Sequence, residues 1–237
     1  MGTKKYRLTG NHINIGNRIL YQIEALKDFG NVKAGDLGGY IESEKNLSQY
    51  DNAWVYGNAE VYGDAQVYGD AKVYGDAEVY GSAEVYDDAK VFDNAQVYDD
   101  AEVFDNAQVY DDAEVYGDAQ VYGSAKVYDD AEVYGDAKVY DDAEVYGDAK
   151  VYDDAEIEST KDYIVFKNWW SSGRYFTWTR SNNMWKVGCF YGTGEELIKK
   201  AYNDSKESGR EYERIVRYVE SILADEKRKE NEPIGIK

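Results

Sequence analysis

Few side chains in this sequence have the types and spacing that chemistry needs. The 237 residues include one histidine, His12, and one cysteine, Cys189. Acid–base and nucleophilic catalysis both require a base held beside the group that it activates. Cys189 lies in a strand-like run with no histidine near it in the sequence, so we expect a buried structural thiol. We expect His12 to be exposed in the N-terminal region.

Pairs of neighbouring aspartates are the next candidates. Asp87–Asp88 and Asp129–Asp130 resemble the paired carboxylates of glycoside hydrolases, and carboxylate oxygens are ligands for Ca²⁺ and Mg²⁺. The pairs recur in many units, however, which favours a role in turns, and no unit offers a fixed set of ligands. The segment GTGEE at 192–196 lacks the Lys-Ser/Thr of a phosphate-binding loop. The sequence therefore predicts no catalytic residue, no cofactor and no metal site.

The elements that hold these residues follow from a repeat of six. From Ala53 to about Thr160 the chain contains eighteen units such as AEVYGD and AKVYDD. Ala is first in every unit and Val third in all but the last, which has Ile157; Tyr follows Val in fifteen units and Phe in two. This alternation predicts short strands with Ala and Val facing inward. The Gly or Asp that follows is typical of a turn.

Short strands that alternate with corners indicate a coil of parallel strands. An aliphatic residue followed four positions later by a small one, as at Val55 and Ala59, resembles the hexapeptide repeats of left-handed parallel β-helix proteins. The resemblance implies a mainly β fold of about six triangular coils, with three units in each. This sequence departs from that family at the residue after the aliphatic one, where Tyr replaces the usual small residue.

The chain divides by composition into three segments. Residues 1–52 are expected to form an N-terminal β cap, with short strands near 6–8, 12–15 and 18–23. Ile41 and Leu47, twelve and six residues before Ala53, indicate an irregular first coil. Residues 53–160 are the β-helix. Residues 161–237 are expected to form a small capping and interaction module of the type β-β-β-α-α.

Within this module, aromatic and β-branched runs predict strands at 163–170, 174–180 and 184–191. Thr193 and Glu196 form a capping box that begins a helix, and Gly209 is a natural end for it. A second helix follows, and the tail ends in PIGIK at 233–237.

Two runs add a second resemblance. ALKDFGNVKAGDLGGYIESEKNLS, followed by hexads, and GCFYGTGEELIKKAYNDS look similar to hexapeptide-repeat proteins encoded by phages and prophages of Firmicutes. The resemblance implies a phage or prophage setting. Acyltransferases with the left-handed β-helix fold use a histidine within or between coils, and their carbonic-anhydrase relatives use several as zinc ligands. Neither pattern is found here, so an acyltransferase is only a distant alternative.

The acidic charge lies in the repeat. The whole chain has a net charge of −20, and residues 53–158 contain twenty Asp and nine Glu against five Lys, a net −24. The N-terminus lacks an apolar signal segment, and no stretch is apolar enough to span a membrane. One cysteine suits a reducing compartment. We therefore expect a cytoplasmic protein that does not bind membranes, in the host cytosol if a phage encodes it.

The acidic rod is the first candidate for binding a partner. Six coils at a strand spacing of about 4.8 Å give a length of roughly 29 Å, over which duplex DNA carries about 17 charges. The rod is at least as densely charged, so our hypothesis is a non-enzymatic nucleic-acid mimic or decoy. It would bind a host protein, such as a nucleic-acid-binding defence factor, and would not bind nucleic acid directly. The corner residues expected to contact the partner are Asp87, Asp88, Asp99, Asp100, Asp111, Asp112, Asp129 and Asp130.

An aromatic patch on the C-terminal module is the second candidate. Aromatic residues interleaved with arginine stack on bases or form interface hot spots, but the sequence favours a sheet core under two helices for the same residues, since one face of the sheet must be buried. The alternative function is a structural spacer or oligomerisation scaffold that presents this module, and a homo-oligomer is compatible with it. The residues of the patch are Trp169, Trp170, Arg174, Trp178, Arg180 and Trp185.

Overall fold

A computed structural model describes residues 4–230. The architecture is mainly β: a parallel β-solenoid of about seven turns carries a β-hairpin at its N-terminal end. A four-stranded antiparallel sheet followed by two helices lies at its C-terminal end. The mainly β fold with a cap at each end is therefore as predicted. No helix among the described residues is long and apolar enough to cross a membrane.

The N-terminal cap extends one sheet of the solenoid. Strand β1 (Tyr6–Ile15) pairs antiparallel with β2 (Arg18–Ala25), which pairs antiparallel with β3 (Leu37–Ile41). Two predicted strands, 6–8 and 12–15, are therefore parts of β1, and the pairing shifts between Leu8 and His12. Strand β3 runs parallel to the next strand of the same sheet, with Ile41 opposite Val61.

The irregular first coil has a different register from the predicted one. Ile41 and Leu47 lie opposite Val61 and Val67, each twenty residues later, whereas regular coils repeat every eighteen. Their spacing from Ala53 aligned them with the Ala position, but they occupy the Val position. The physical reason is a corner between Leu47 and Ala53 that is two residues longer than the others.

Each of the eighteen repeat units contributes one short strand. Each strand pairs in parallel with the strand eighteen residues later, as Val55 does with Val73. Three units therefore make one coil, as predicted, while the left-handed sense remains a prediction. The strands are β4 (Trp54–Val55), β5 (Glu60–Val61), β6 (Gln66–Val67), β7 (Lys72–Val73), β8 (Glu78–Val79), β9 (Glu84–Val85), β10 (Lys90–Val91), β11 (Gln96–Val97), β12 (Glu102–Val103), β13 (Gln108–Val109), β14 (Glu114–Val115), β15 (Gln120–Val121), β16 (Lys126–Val127), β17 (Glu132–Tyr134), β18 (Lys138–Val139), β19 (Glu144–Val145), β20 (Lys150–Tyr152) and β21 (Glu156–Ile157).

These strands form the three faces of the rod. Face 1 runs from β4 through every third strand to β19, face 2 from β5 to β20, and face 3 from β6 to β21. Every repeat Ala, every repeat Val and Ile157 is at most 1% exposed. The interior is thus a narrow stack of small and medium apolar side chains, which close-packs because each coil presents the same volume.

The aromatic residue after each Val lies outside and stacks on its equivalent in the next coil. Ring centroids are 4.9 Å apart for Tyr80 and Tyr98, and 4.8 Å for Phe92 and Tyr110, with planes within 4° of parallel. This distance equals the spacing between strands. One ladder of half-buried rings therefore follows each face and covers its outer surface.

Buried polar contacts close the N-terminal end. The Lys5 side chain is fully buried, and its Nζ donates to the carbonyl oxygen of Ala53 at 2.8 Å and of Asp51 at 3.2 Å. Trp54 is 1% exposed and meets the rings of Tyr6 and Phe29 edge-on. Burial lowers the pKa of Lys5 to about 8, although the Asp51 carboxylate opposes the shift.

The C-terminal sheet has four strands where three were predicted. They are β22 (Tyr163–Lys167), β23 (Tyr175–Thr179), β24 (Met184–Val187) and β25 (Phe190–Gly192), paired antiparallel in that order. The third predicted run is divided because the chain reverses at Gly188, which has a φ of +53°. Cys189 lies in this turn and is exposed, so the prediction of a buried thiol in a strand was wrong.

Two helices cover one face of this sheet. Helix α1 (Gly194–Asp204) begins with the predicted capping box, in which the Thr193 and Glu196 side chains each bind the other's backbone N–H. Helix α2 (Lys206–Glu230) already contains Gly209, so this glycine does not end α1. A Cβ at Gly209 would lie 2.3 Å from the Tyr202 ring. The glycine therefore permits a close contact between the helices.

The module is anchored to the last coil by hydrogen bonds. The backbone N–H of Lys150 donates to Thr177 Oγ1 at 2.9 Å, and that of Glu156 donates to Ser181 Oγ at 2.8 Å. The Tyr163 hydroxyl donates to the Glu144 carbonyl oxygen at 3.1 Å. The end of the solenoid is thus covered, and strand edges that would otherwise promote aggregation are partly satisfied.

Candidate functional site

The corner residues are held by backbone geometry. Where Asp occupies the first corner position it has a φ between 53° and 60°, as at Asp87, Asp99, Asp111 and Asp129. Gly, Asn and Asp adopt this left-handed region more readily than other residues. At most corners the N–H of the second residue donates to a carbonyl oxygen of the next coil, as from Asp70 to Asp87 at 2.7 Å. Some corner carboxylates also accept hydrogen bonds within the rod, as Asp129 does from the Gly147 N–H at 3.1 Å and Asp112 from Asn94 Nδ2 at 3.0 Å, and most of them remain exposed.

The corners stack into three columns along the rod. Four of the predicted binding residues, Asp111, Asp112, Asp129 and Asp130, lie in two consecutive corners of column 1. Asp99 and Asp100 lie in column 2, and Asp87 and Asp88 in column 3, so the structure does not bring all eight together. Column 1 comprises 57–58, 75–76, 93–94, 111–112, 129–130 and 147–148; column 2 comprises 63–64, 81–82, 99–100, 117–118, 135–136 and 153–154; column 3 comprises 69–70, 87–88, 105–106, 123–124 and 141–142.

On faces 2 and 3 four glutamates accept a hydrogen bond from a tyrosine of the preceding coil: Glu78, Glu84, Glu102 and Glu114. The Tyr98 hydroxyl donates to Glu114 at 2.8 Å, and the Tyr86 hydroxyl donates to Glu102 at 2.8 Å. Burial, reinforced by these carboxylates, raises the pKa of both hydroxyls. These pairs were not predicted, although a spacing of sixteen residues follows from a coil of eighteen. The glutamates are therefore partly engaged within the rod, whereas most corner aspartates are exposed.

The charge of the rod differs between faces. Faces 2 and 3 have glutamate at four of six and three of six outward strand positions respectively. Face 1 instead has Lys72, Lys90 and Lys126, and Lys126 donates to Glu144 at 2.8 Å. The acidic surface therefore consists of the three corner columns together with faces 2 and 3.

Most of the predicted aromatic patch is part of a core. Trp178 and Trp185 are 1% and 2% exposed and pack under α1 and α2 with Leu197 and Val216. The prediction that they bind a partner was wrong, because the sheet needs a buried face and these rings provide it. Arg180 donates to Glu226 at 2.8 Å and so links the sheet to α2.

The remaining members of the patch are dispersed. Trp169 is 81% exposed, but Trp170 packs partly against the rings of Phe176 and Tyr212, and its Nε1 has no hydrogen-bond partner among the described residues. Arg174 is exposed beside the Gly188 turn. Only Trp169 and Arg174 therefore present substantial surface to solvent.

The other candidate groups lie apart from one another. His12 is exposed on β1, at the opposite end of the molecule from Cys189. Within residues 4–230, no three His, Cys, Asp or Glu side chains are arranged to hold a metal ion.

A family model described as the YdcK beta solenoid repeat matches residues 107–123. This segment contains β13, β14 and β15, one strand from each face, and so corresponds to about one coil. The chain is a β-solenoid repeat protein. No curated protein matches the chain. The match to the family model thus lies within the repeat and does not include either end of this β-solenoid repeat protein.

Proposed function

We propose that this β-solenoid protein is a non-enzymatic interaction protein of phage or prophage type that acts in the host cytosol. Its acidic rod imitates the charge of a nucleic acid and occupies the phosphate-binding surface of a host protein, such as a defence factor. The observation that carries the proposal is the set of corner columns. Except at 57–58, 81–82 and 123–124, every corner carries at least one carboxylate, and consecutive corners of a column are one coil apart on a stiff scaffold.

Charge density supports this proposal. The rod carries a net −24 over a length of roughly 29 Å, against about 17 charges on the same length of duplex DNA. Aligned charges on a stiff cylinder create a long-range field that steers a basic partner. The same field opposes binding of nucleic acid by the rod itself.

The experiment is capture of host proteins on the immobilised full-length protein, followed by elution with duplex DNA. A variant with Asn at Asp111, Asp112, Asp129 and Asp130 removes four charges from column 1. Asn also adopts the left-handed region, so we expect the fold to persist. A control removes four charges from the helices by amide substitution at Glu207, Glu211, Glu220 and Asp225.

The proposal predicts a captured protein that duplex DNA elutes, that the column 1 variant loses and that the helix control retains. Capture that DNA does not reverse, and that both variants retain equally, would contradict it.

A rigid spacer is the second candidate function. Three stacked ring ladders and two covered ends favour a stiff rod that sets a distance, and Trp169 is exposed on the module at one end. In that case Trp169→Ala abolishes capture and the column 1 variant retains it.

A further inference from the structure

A small pocket lies in the C-terminal module between the β24–β25 turn and helix α1. Its volume is about 180 Å³, well below the roughly 300–1,000 Å³ of sites for drug-sized ligands. The apolar part of its wall includes Val187, Phe190, Leu197 and Tyr212. A pocket of this size and polarity fits one aliphatic or small aromatic group.

Two cations line the same pocket without an anionic partner. Arg174 and Lys200 both contribute to the wall, and within residues 4–230 neither side chain makes an ion pair or a hydrogen bond. Four arginines of the module form ion pairs, as Arg217 does with Glu220 at 2.9 Å, whereas Arg174 forms none within the described residues. Both side chains are exposed beside the apolar part of the wall, so both can contact an external anion that enters the pocket.

The turn at Gly188 keeps Arg174 at the pocket. The glycine has a φ of +53°, and a Cβ there would lie 3.3 Å from Arg174 Cδ and 3.6 Å from Nη1. The guanidinium group therefore lies against the turn in space that a side chain would occupy. Asp204 is the one acidic residue of the lining and leaves it a net charge of +1.

We infer that this pocket binds an apolar group that ends in a carboxylate. Arg174 donates hydrogen bonds to the carboxylate oxygens, because its planar fork suits that geometry. Lys200 adds a second charge, and the apolar group fills the cavity. Two sources supply this chemistry: a free small carboxylic acid and the C-terminal residue of a polypeptide. The site is independent of the acidic rod and goes beyond the function proposed for it.

Cys189 provides the readout, because it lines the pocket and is the only cysteine of the chain. The rate of its alkylation by iodoacetamide is measured on the full-length protein with N-acetylleucine, and with N-acetylleucinamide as the uncharged control. We expect the acid to slow alkylation and the amide to have no effect. Arg174→Gln and Lys200→Gln should each weaken protection by about tenfold, as expected for loss of one charge-assisted contact. Lys199→Gln, on the same helix outside the lining, should leave protection unchanged.

Asp204→Asn tests the charge of the ligand. Removal of the one acidic group should strengthen protection by the acid, whereas weaker protection would show that a cationic group also binds and would overturn the inference. Equal protection by acid and amide, or none by either, would also overturn it.

4-Methylpentanoate and acetyl-Gly-Gly-Leu then distinguish the two sources. Tighter binding of the peptide identifies a polypeptide end, and equal or tighter binding of the free acid identifies a small molecule. The column 1 variant should give the same protection as the unaltered protein, so this inference and the proposed function fail separately.

Discussion

Single residues at the corners decide how closely consecutive coils approach. At Gly81 the φ is +73°, and a Cβ would lie 2.7 Å from the backbone nitrogen of Asp99 in the next coil. At Gly147 the φ is +65°, but no atom lies within 4 Å of the same position. The two glycines therefore share the conformational requirement, and only Gly81 adds a steric one.

We predict that Gly81→Ala destabilises the protein more than Gly147→Ala does. Both substitutions place a Cβ in the left-handed region at a cost of about 1–2 kcal/mol, and Gly81→Ala must also displace backbone in the neighbouring coil. Urea denaturation of the two variants provides the comparison. Equal losses in the free energy of unfolding would show that only the positive φ requires glycine at these corners and that the close approach of the next coil does not.

Lys5 gives a second prediction at this scale. Its pKa is about 8 in the folded protein against an ordinary value of 10.5. Below pH 8 both states bind the proton, and the cost of burying the charge is fully present. Between pH 8 and 10.5 the unfolded chain binds more protons than the folded one, so stability rises with pH.

The measurement for Lys5 is the free energy of unfolding of the native protein minus that of Lys5→Met, followed from pH 8 to 10. Taking the difference removes the contribution of other titrating groups. We expect it to increase with pH. A decrease would mean that contact with Asp51 outweighs burial and raises the pKa of Lys5.

At the scale of elements, the tyrosines of the aromatic ladders make the stability of the coils depend on pH. Burial, with a smaller contribution from Glu78, raises the pKa of Tyr80 to about 12 from an ordinary value of 10.0. The stabilisation that results is fully present below pH 10 and is lost as pH rises through 12.

Alkaline titration tests the ladders. We predict that tyrosine ionisation, followed by near-ultraviolet absorbance, is delayed in the folded protein and that the free energy of unfolding falls above pH 10. Tyr80→Phe should make that fall shallower. Ionisation of the ladder tyrosines near pH 10 without loss of structure would contradict the account.

The repeat itself could be predicted because every unit has the same pattern: Ala and an aliphatic residue that face inward, followed by a corner of two residues. Ala107 and Val109, for example, face inward by alternation alone, and a period of eighteen assigns every strand to its face. Both ends depend on contacts between distant residues, which a single sequence does not specify. The longer corner after Leu47, the reversal at Gly188 and the helical position of Gly209 were missed for this reason.

The candidate site was predictable to a similar degree. The corner aspartates were identified from the sequence, but they were treated as one surface. Because three units make one coil, consecutive corners in the sequence lie in different columns, and this division was not predicted. The sequence favoured a core for Trp178 and Trp185, since one face of the sheet must be buried, but it left a binding interface open. In the structure both rings pack under α1 and α2, which assigns them to the core.

At the scale of the whole molecule, charge is unevenly distributed because the repeat unit is rich in acidic residues and poor in basic ones. All of the net negative charge lies on the solenoid, whereas residues 1–52 and 159–237 have net charges of +1 and +3. Exposed charges interact with a partner over about one Debye length, roughly 8 Å at physiological ionic strength. A partner that recognises the columns should therefore respond to salt more strongly than one that recognises the module.

The most direct test of the acidic rod is the salt dependence of its affinity for the protein that it captures. Binding is measured for the native chain, for the column 1 variant with Asn at Asp111, Asp112, Asp129 and Asp130, and for the helix control. We predict a steep fall in the logarithm of affinity against the logarithm of salt concentration, as for a protein that binds phosphates. The slope should be shallower in the column 1 variant and unchanged in the helix control. A shallow slope shared by all three proteins would contradict the proposal that the rod acts as a nucleic-acid mimic.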